Sequence, residues 1–157
     1  MAPKFILVMR HAEKPDDAND PHLSPAGRVR AEKLATYIPA TFGKPDFIFA
    51  AADSKESERP RETVEPLHKA TGVEIHDTIA DKDYADLASE LLTKHHLSDQ
   101  RVVVCWHHGH IPKLMHALGA NAGDYPDPWD EKVFNLILKL DYDAGGKPAV
   151  KKITEPF

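Results

Sequence analysis

Arg10 and His11 close the run FILVMRH, and His107 and His108 close the run VVVCWHH. Each pair follows an apolar, β-branched stretch of the kind that forms a strand covered on both faces. Arg59 stands at the N-terminal edge of a segment with helical spacing. Arginines and histidines brought to one point make a positive, donor-rich pocket. Such a pocket suits a tetrahedral oxyanion, because a guanidinium donates paired, charge-assisted hydrogen bonds to phosphate oxygens. A helix N-terminus beside Arg59 would add unpaired N–H groups and partial positive charge. A histidine held in that field as the correct neutral tautomer can attack phosphorus, and water can finish the turnover of the labile phosphoramidate. The other groups would stabilise the equatorial oxygens as charge spreads in the transition state. Neither a metal nor an organic cofactor is needed for this chemistry.

Periodicity predicts the elements that must deliver these residues. Lys4 to Met9 reads as a buried strand, followed by an Asp- and Pro-rich loop from Pro15 to Leu23. Ser24 is the expected N-cap of a helix with Pro25 at its first position, and Ala31, Leu34, Ala35 and Ile38 repeat at helical spacing. Asp46 to Ala51 predicts a second strand, Pro60 to Thr71 a helix stopped by Gly72, Val73 to His76 a short strand, and Ala85 to His96 a helix. Arg101 to Trp106 is nearly pure β-former at its centre. Ile111 to Leu118 predicts a helix ended by Gly119. After a loop from Asn121 to Glu131, Val133 to Leu140 predicts a strand, and AGGKPAVKKI a hairpin to a last short one. The alternation predicts a three-layer α/β/α sandwich with a largely parallel central sheet, in which ligands bind at the carboxyl ends of the strands. Arg10 with His11, Arg59, and His107 with His108 occupy those ends.

The 157 residues suit a single domain with its own core, so residues 1–157 are read as one unit. The net charge of −5 is spread with both signs interspersed, which argues against a nucleic-acid partner. The lone Cys105 lies inside an apolar run and suits a buried thiol in a reducing compartment. The apolar N-terminal stretch is too short for a secretory core or a membrane span, so the expected location is cytoplasmic, without a membrane partner.

MRHAEKP resembles the signature of the histidine phosphatase superfamily, the phosphoglycerate mutase-like family, whose hallmark is Arg-His-Gly at the end of the first strand. LSPAGRVRAEKLA is similar to the segment that follows it there, SERPRETVEPL to the second arginine block, and VVVCWHHGHIPKLMHALG to the second histidine block. These blocks stand in the family's order and cover most of residues 4–119. The resemblance implies a phosphoglycerate mutase-like fold with His11 as the nucleophile and Arg10 against the phosphoryl group. It implies that Arg59, four residues before Thr63, binds phosphate, and that Arg61 faces solvent or substrate. The second catalytic histidine has two candidates. His108 is preferred because Gly109 follows it, whereas the spacing to Ile111 selects His107. In the first case His107 and His110 line the rim and contact substrate.

Departures from the family pattern also carry information. Ala12 replaces the usual glycine, and Glu13, Lys14 and Pro15 differ from the mutase branch, which argues against a sugar-phosphate mutase. The family's proton-donating glutamate sits in a longer insertion than DTIADKDYADL, where Asp81 and Asp83 are the candidate donors, with Glu13 a further one. With little material for a cap, the pocket is expected to be open, like those of the small phosphatases that act on phosphohistidine in proteins or on other exposed phosphates. The implied activity is metal-independent hydrolysis of phosphate monoesters or phosphoramidates through a phosphohistidine on His11. The implied partner is a phosphorylated small molecule or phosphoprotein.

Two other classes compete. His107, His108 and His110 invite a metal-site reading, but a strand turning into a loop sends neighbouring side chains apart, and no HExxH or paired-cysteine spacing accompanies them. A domain that recruits a phosphorylated ligand without turnover would keep the same positive pocket and dispense with the acid. Glu13 is equally a site carboxylate or an arginine's partner. Trp106 and Trp129 are expected in packing roles.

Overall fold

The residues FILVMR form β1 (Phe5–Arg10), and every one of them is buried, as a strand covered on both faces requires. The computed structural model describes residues 2–157. Along the chain follow α1 (Pro25–Phe42), β2 (Phe47–Ala50), α2 (Arg59–Thr71), β3 (Ile75–His76), α3 (Tyr84–Thr93), β4 (Arg101–Trp106), α4 (Ile111–Ala117), β5 (Leu136–Tyr142) and β6 (Pro148–Thr154). Short 3-10 turns occupy Asp81–Asp83 and His95–Leu97.

Among the described residues six strands form one sheet in the order β3-β2-β4-β1-β5-β6. β3, β2, β4 and β1 are mutually parallel, β5 is antiparallel to β1, and β6 returns antiparallel to β5. The fold is therefore mixed α/β, with a sheet that is mostly but not fully parallel. The hairpin read from AGGKPAVKKI supplies the antiparallel edge.

Strand alternation sorts the core into two clusters. Phe5, Leu7 and Met9 of β1 join Val103 and Cys105 of β4, packing with Leu34, Ile38, Val64 and Leu67 from α1 and α2. Ile6 and Val8 join Val102, Val104 and Trp106, packing with Leu87 and Leu91 of α3 and Leu114 and Met115 of α4. Each large apolar side chain removed from water contributes about 1.5–3 kcal/mol. The central strands are thus fixed along their whole length, and so are the residues at their ends.

Helix boundaries follow local chemistry. Ser24 caps α1 by accepting from the Gly27 amide at 3.0 Å, with Pro25 in the first turn. The expected stripe of Ala31, Leu34, Ala35 and Ile38 is buried, joined by Gly27. Gly27 has a reason to be glycine: a Cβ there would lie 2.3 Å from the Glu13 carbonyl oxygen. Gly72 ends α2 in the left-handed region at φ 74°, its N–H donating to the His68 carbonyl at 2.8 Å.

Two boundaries differ from expectation. α3 stops at Thr93, so His95 and His96 belong to a separate 3-10 turn. β5 begins at Leu136 rather than Val133, because the preceding residues turn inward and their carbonyls reach Arg10. No described helix is long and apolar enough to cross a membrane.

Candidate active site

Sheet register decides which residues meet. β1 pairs with β4 in parallel with Arg10 opposite Trp106, and the His11 amide donates to the Trp106 carbonyl at 3.1 Å. The next residue on each strand is a histidine, so His11 and His107 leave the sheet side by side. Their ring centroids are 5.3 Å apart and edge-on at 70°. The preference for His108 from the following glycine is not what this register favours. His108 instead lines a cavity with Pro112, Trp129 and Glu131.

His11 is only 2% exposed. Its Nδ1 lies 2.7 Å from the Ala12 carbonyl oxygen. A carbonyl only accepts, so Nδ1 carries the proton and Nε2 keeps its lone pair. Burial pushes the imidazole down to about 2, and His107, Arg10 and Arg59 push the same way against the opposing Ala12 hydrogen bond. The ring is therefore neutral at physiological pH, inside a positive field.

That field is built by arginines held by backbone carbonyls rather than by carboxylates. Nη1 of Arg10 donates to the Glu131 carbonyl at 2.6 Å and the Val133 carbonyl at 3.3 Å, and its guanidinium carbon sits 3.9 Å over the Phe134 ring. Its Nε and Nη2 are buried and find no partner among the described residues. Arg59 donates from Nη1 to the Asp20 carbonyl at 2.7 Å, and its buried Nε is likewise unpartnered among the described residues. Buried donors without acceptors cost free energy, and an oxyanion would satisfy them. Desolvation lowers Arg10 to about 10, which leaves it charged at neutral pH. Desolvation lowers Arg59 as well.

Thr63 ties these pieces together. Its hydroxyl accepts from the Ala12 amide at 2.9 Å and donates to the Arg59 carbonyl at 2.8 Å, so α2 holds the residue that follows His11. Arg59, Asp53, Asp81, Lys82 and His107 line a surface cleft of about 490 Å³, with His11 one ring further in.

The remaining candidates are distributed as follows. Glu13 is bound by Arg30 through contacts of 2.9–3.1 Å, which makes it an arginine's partner. Arg61 pairs with Asp53 at 2.9 Å and Glu58 at 2.8 Å and lines a separate surface pocket rather than the cleft. Asp83 pairs with Lys82. Asp81 lines the cleft, its Oδ2 lying 2.8 Å from His110 Nδ1. His110 therefore faces Asp81. The three clustered histidines point to three different places, and no shared metal geometry joins them; among the described residues the group with ligand atoms within 4.8 Å is His22, Glu58 and Glu62. There His22 pairs with Glu62, and Glu58 with Arg61.

Phe134 escaped the sequence reading, since an aromatic read as part of the strand from Val133 carries no signal of its partner Arg10. Trp106 was expected to pack and does, but its indole N–H also donates to the Asp81 carbonyl at 3.1 Å. The pairing of His11 with His107 follows from the register that sets Arg10 opposite Trp106, which strand lengths alone do not fix.

A six-stranded mixed sheet of this order, with Arg10 and His11 at the end of β1 and His107 just past β4, is a fold shared with several solved phosphatases. The chain is similar to the solved protein histidine phosphatase SixA in complex with tungstate, with a TM-score of 0.69, 15% identity and coverage of 96% of each chain. It is also similar to a phosphoserine phosphatase from Entamoeba histolytica with 3-phosphoglyceric acid bound, with a TM-score of 0.63, 15% identity and coverage of 96% of each chain. A mycobacterial glucosyl-3-phosphoglycerate phosphatase holding inorganic phosphate gives a TM-score of 0.63, 12% identity and coverage of 98% of this chain and 97% of that one. At these identities the likeness is one of fold. No protein-family model and no curated protein matches at the sequence level.

Proposed function

We propose that this protein is a phosphatase that hydrolyses phosphate monoesters or phosphoramidates through a phosphohistidine on His11, without a metal ion. The observation that carries the reading is the buried His11 ring with its Nδ1 proton committed to the Ala12 carbonyl, ringed by Arg10, Arg59 and His107. His11 Nε2 attacks phosphorus. The unpartnered N–H groups of Arg10 and Arg59 bind the equatorial oxygens, taking the place a metal fills in other phosphoryl transfers. We assign the second catalytic histidine to His107, which lies against His11, and leave His108 to the rim. Asp81, the candidate acid that lines the cleft, is the proton donor in this reading, and Arg61 supports Asp53 rather than substrate. The protein works as one domain whose helices cover the sheet in three layers, in the reducing cytoplasm. Its substrate is a phosphorylated small molecule or a phosphoprotein small or exposed enough to enter an open cleft.

The test is hydrolysis of p-nitrophenyl phosphate by the purified protein, with and without chelator, beside His11→Ala. The expected outcome is chelator-insensitive turnover that is absent in the variant, while inorganic phosphate still binds. Turnover retained in His11→Ala removes His11 from the nucleophile role. An inert wild type that binds phosphate makes the domain a recruiter of phosphorylated ligands.

A further inference from the structure

Arg10 is a buried cation that no carboxylate among the described residues pairs with, so something else must fix its direction. One short segment, residues 129–134, supplies every contact that does so. The Glu131 carbonyl accepts from Nη1 at 2.6 Å and the Val133 carbonyl at 3.3 Å. Val133 is itself braced: its amide donates to the Asp130 carbonyl at 3.0 Å, and its carbonyl also accepts from the Trp129 indole N–H at 3.0 Å. Trp129 is buried in the core, which anchors the segment. Phe134 completes the bracket, its ring centroid 3.9 Å from the guanidinium carbon. The same ring lies 6.2 Å from the His11 ring, tilted at 52°. Glu131 and Lys132 are exposed, so the segment gives Arg10 its backbone and gives solvent its charged side chains.

We propose that Phe134 is a positioning residue for Arg10: stacked on the guanidinium, it fixes the plane of the fork and holds its charge beside His11. The role rests on the phosphatase reading above for its consequence, turnover, and adds to it the residue that aims one of the site's cations. Two carbonyls on Nη1 fix one corner of a planar group and leave the plane free to turn about that corner. A flat ring at 3.9 Å removes this freedom. The negative face of an aromatic ring attracts a cation most strongly where water is excluded, and Arg10 is 2% exposed. A carboxylate in the same place would hold the guanidinium as firmly, but it would cancel the charge and repel an incoming anion. An aromatic face and carbonyl dipoles hold the cation and leave its net charge intact.

The experiment measures inorganic phosphate affinity by calorimetry and kcat/KM on p-nitrophenyl phosphate. It uses the wild type, Phe134→Leu, Phe134→Tyr, Arg10→Met and the double variant of Arg10→Met with Phe134→Leu. Phe134→Leu keeps an apolar side chain and loses the π face, so phosphate affinity should fall by about 2- to 30-fold, the span of a cation–π contact from exposed to desolvated sites. The kcat/KM value should fall with it. Phe134→Tyr keeps the face and should stay within about 2-fold of the wild type. If Phe134 acts through Arg10, the leucine change costs nothing further in the Arg10→Met background, which a double-mutant cycle reads as coupling. Equal losses from leucine and tyrosine, or losses that add in the double variant, make Phe134 a packing residue and overturn the proposal. Should Arg10→Met fail to fold, pentafluorophenylalanine at position 134 takes its place. It keeps the ring's shape and reverses the charge of its face, so phosphate affinity should fall as with leucine, and unchanged affinity overturns the proposal. A wild type that hydrolyses the ester while Phe134→Leu binds phosphate equally well overturns it with the phosphatase reading intact. A wild type that binds phosphate in the expected pattern and hydrolyses nothing sinks that reading and keeps the role of Phe134. One that binds no phosphate removes both.

Discussion

Neutrality at His11 comes from burial, reinforced by neighbouring cations, rather than from a carboxylate partner. The same surroundings would welcome an anion, so one arrangement both keeps the imidazole neutral and favours a negatively charged guest beside it. Arg59 is the clearest place to weigh the second half of that statement. Its Nη1 is spent on a loop carbonyl and its Nε is free of any described partner. Arg59→Ala should reduce kcat on an aryl phosphate by about 3 kcal/mol in barrier, the cost of losing one preorganised donor. A loss within experimental error would mean that Arg10 alone holds the phosphoryl oxygens. At this scale the sequence was legible in which residues meet, since Arg10, His11 and Arg59 do lie together. It was not legible where partners decide. Glu13 could have been a site acid until Arg30, seventeen positions on, is seen to bind it, and nothing in the string HHGH says which histidine meets His11.

Elements explain how such residues are held to fractions of an ångström. α2 carries Arg59 and Thr63 one turn apart, and Thr63 reaches across to the Ala12 amide while its hydroxyl binds the Arg59 carbonyl. Thr63→Val keeps the shape and removes both hydrogen bonds at a site that is 1% exposed. The buried Ala12 N–H is then unsatisfied, so stability should fall by about 1–3 kcal/mol in urea denaturation. An unchanged midpoint would show that the His11 turn does not depend on α2. The helices and central strands were readable because burial imposes a period on them: the stripe on α1 and the solid runs of β1 and β4 leave few alternatives. β5 was placed early because Val133 looks like a strand residue, yet its carbonyl serves Arg10. A contact between residues so far apart in the chain cannot be read from local pattern.

Across the whole molecule, a largely buried ionic chain runs from the last strand's end to Glu13, two residues past His11. Arg30 binds Glu13 and also Glu155, whose side chain is 1% exposed. Two carboxylates share one guanidinium, Glu155 shut off from water and Glu13 partly exposed. Desolvation pushes Glu155 up to about 7 despite its bond to Arg30. A folded-state value above the unfolded one means that the folded protein holds this proton more tightly. The associated stability is complete below the ordinary carboxylate range and is lost as pH rises through about 7. Thermal denaturation at pH 5 and pH 8 should show that decline, of a few kcal/mol or less, and Glu155→Gln should flatten it. An identical slope in the variant would place the titration elsewhere. The alternation of strands and helices announced a mostly parallel α/β protein, but neither the strand order nor a contact between residues 30 and 155 can be inferred from either end alone.

The separation of His11 and His107 is written in the ladder that sets Arg10 opposite Trp106. A hydrogen-bonded sheet is a ruler with fixed graduations, and every loop that shapes the cleft is attached outside it. Descendants of such a chain can lengthen, shorten or recolour those loops, while the interval between the two rings is inherited unaltered.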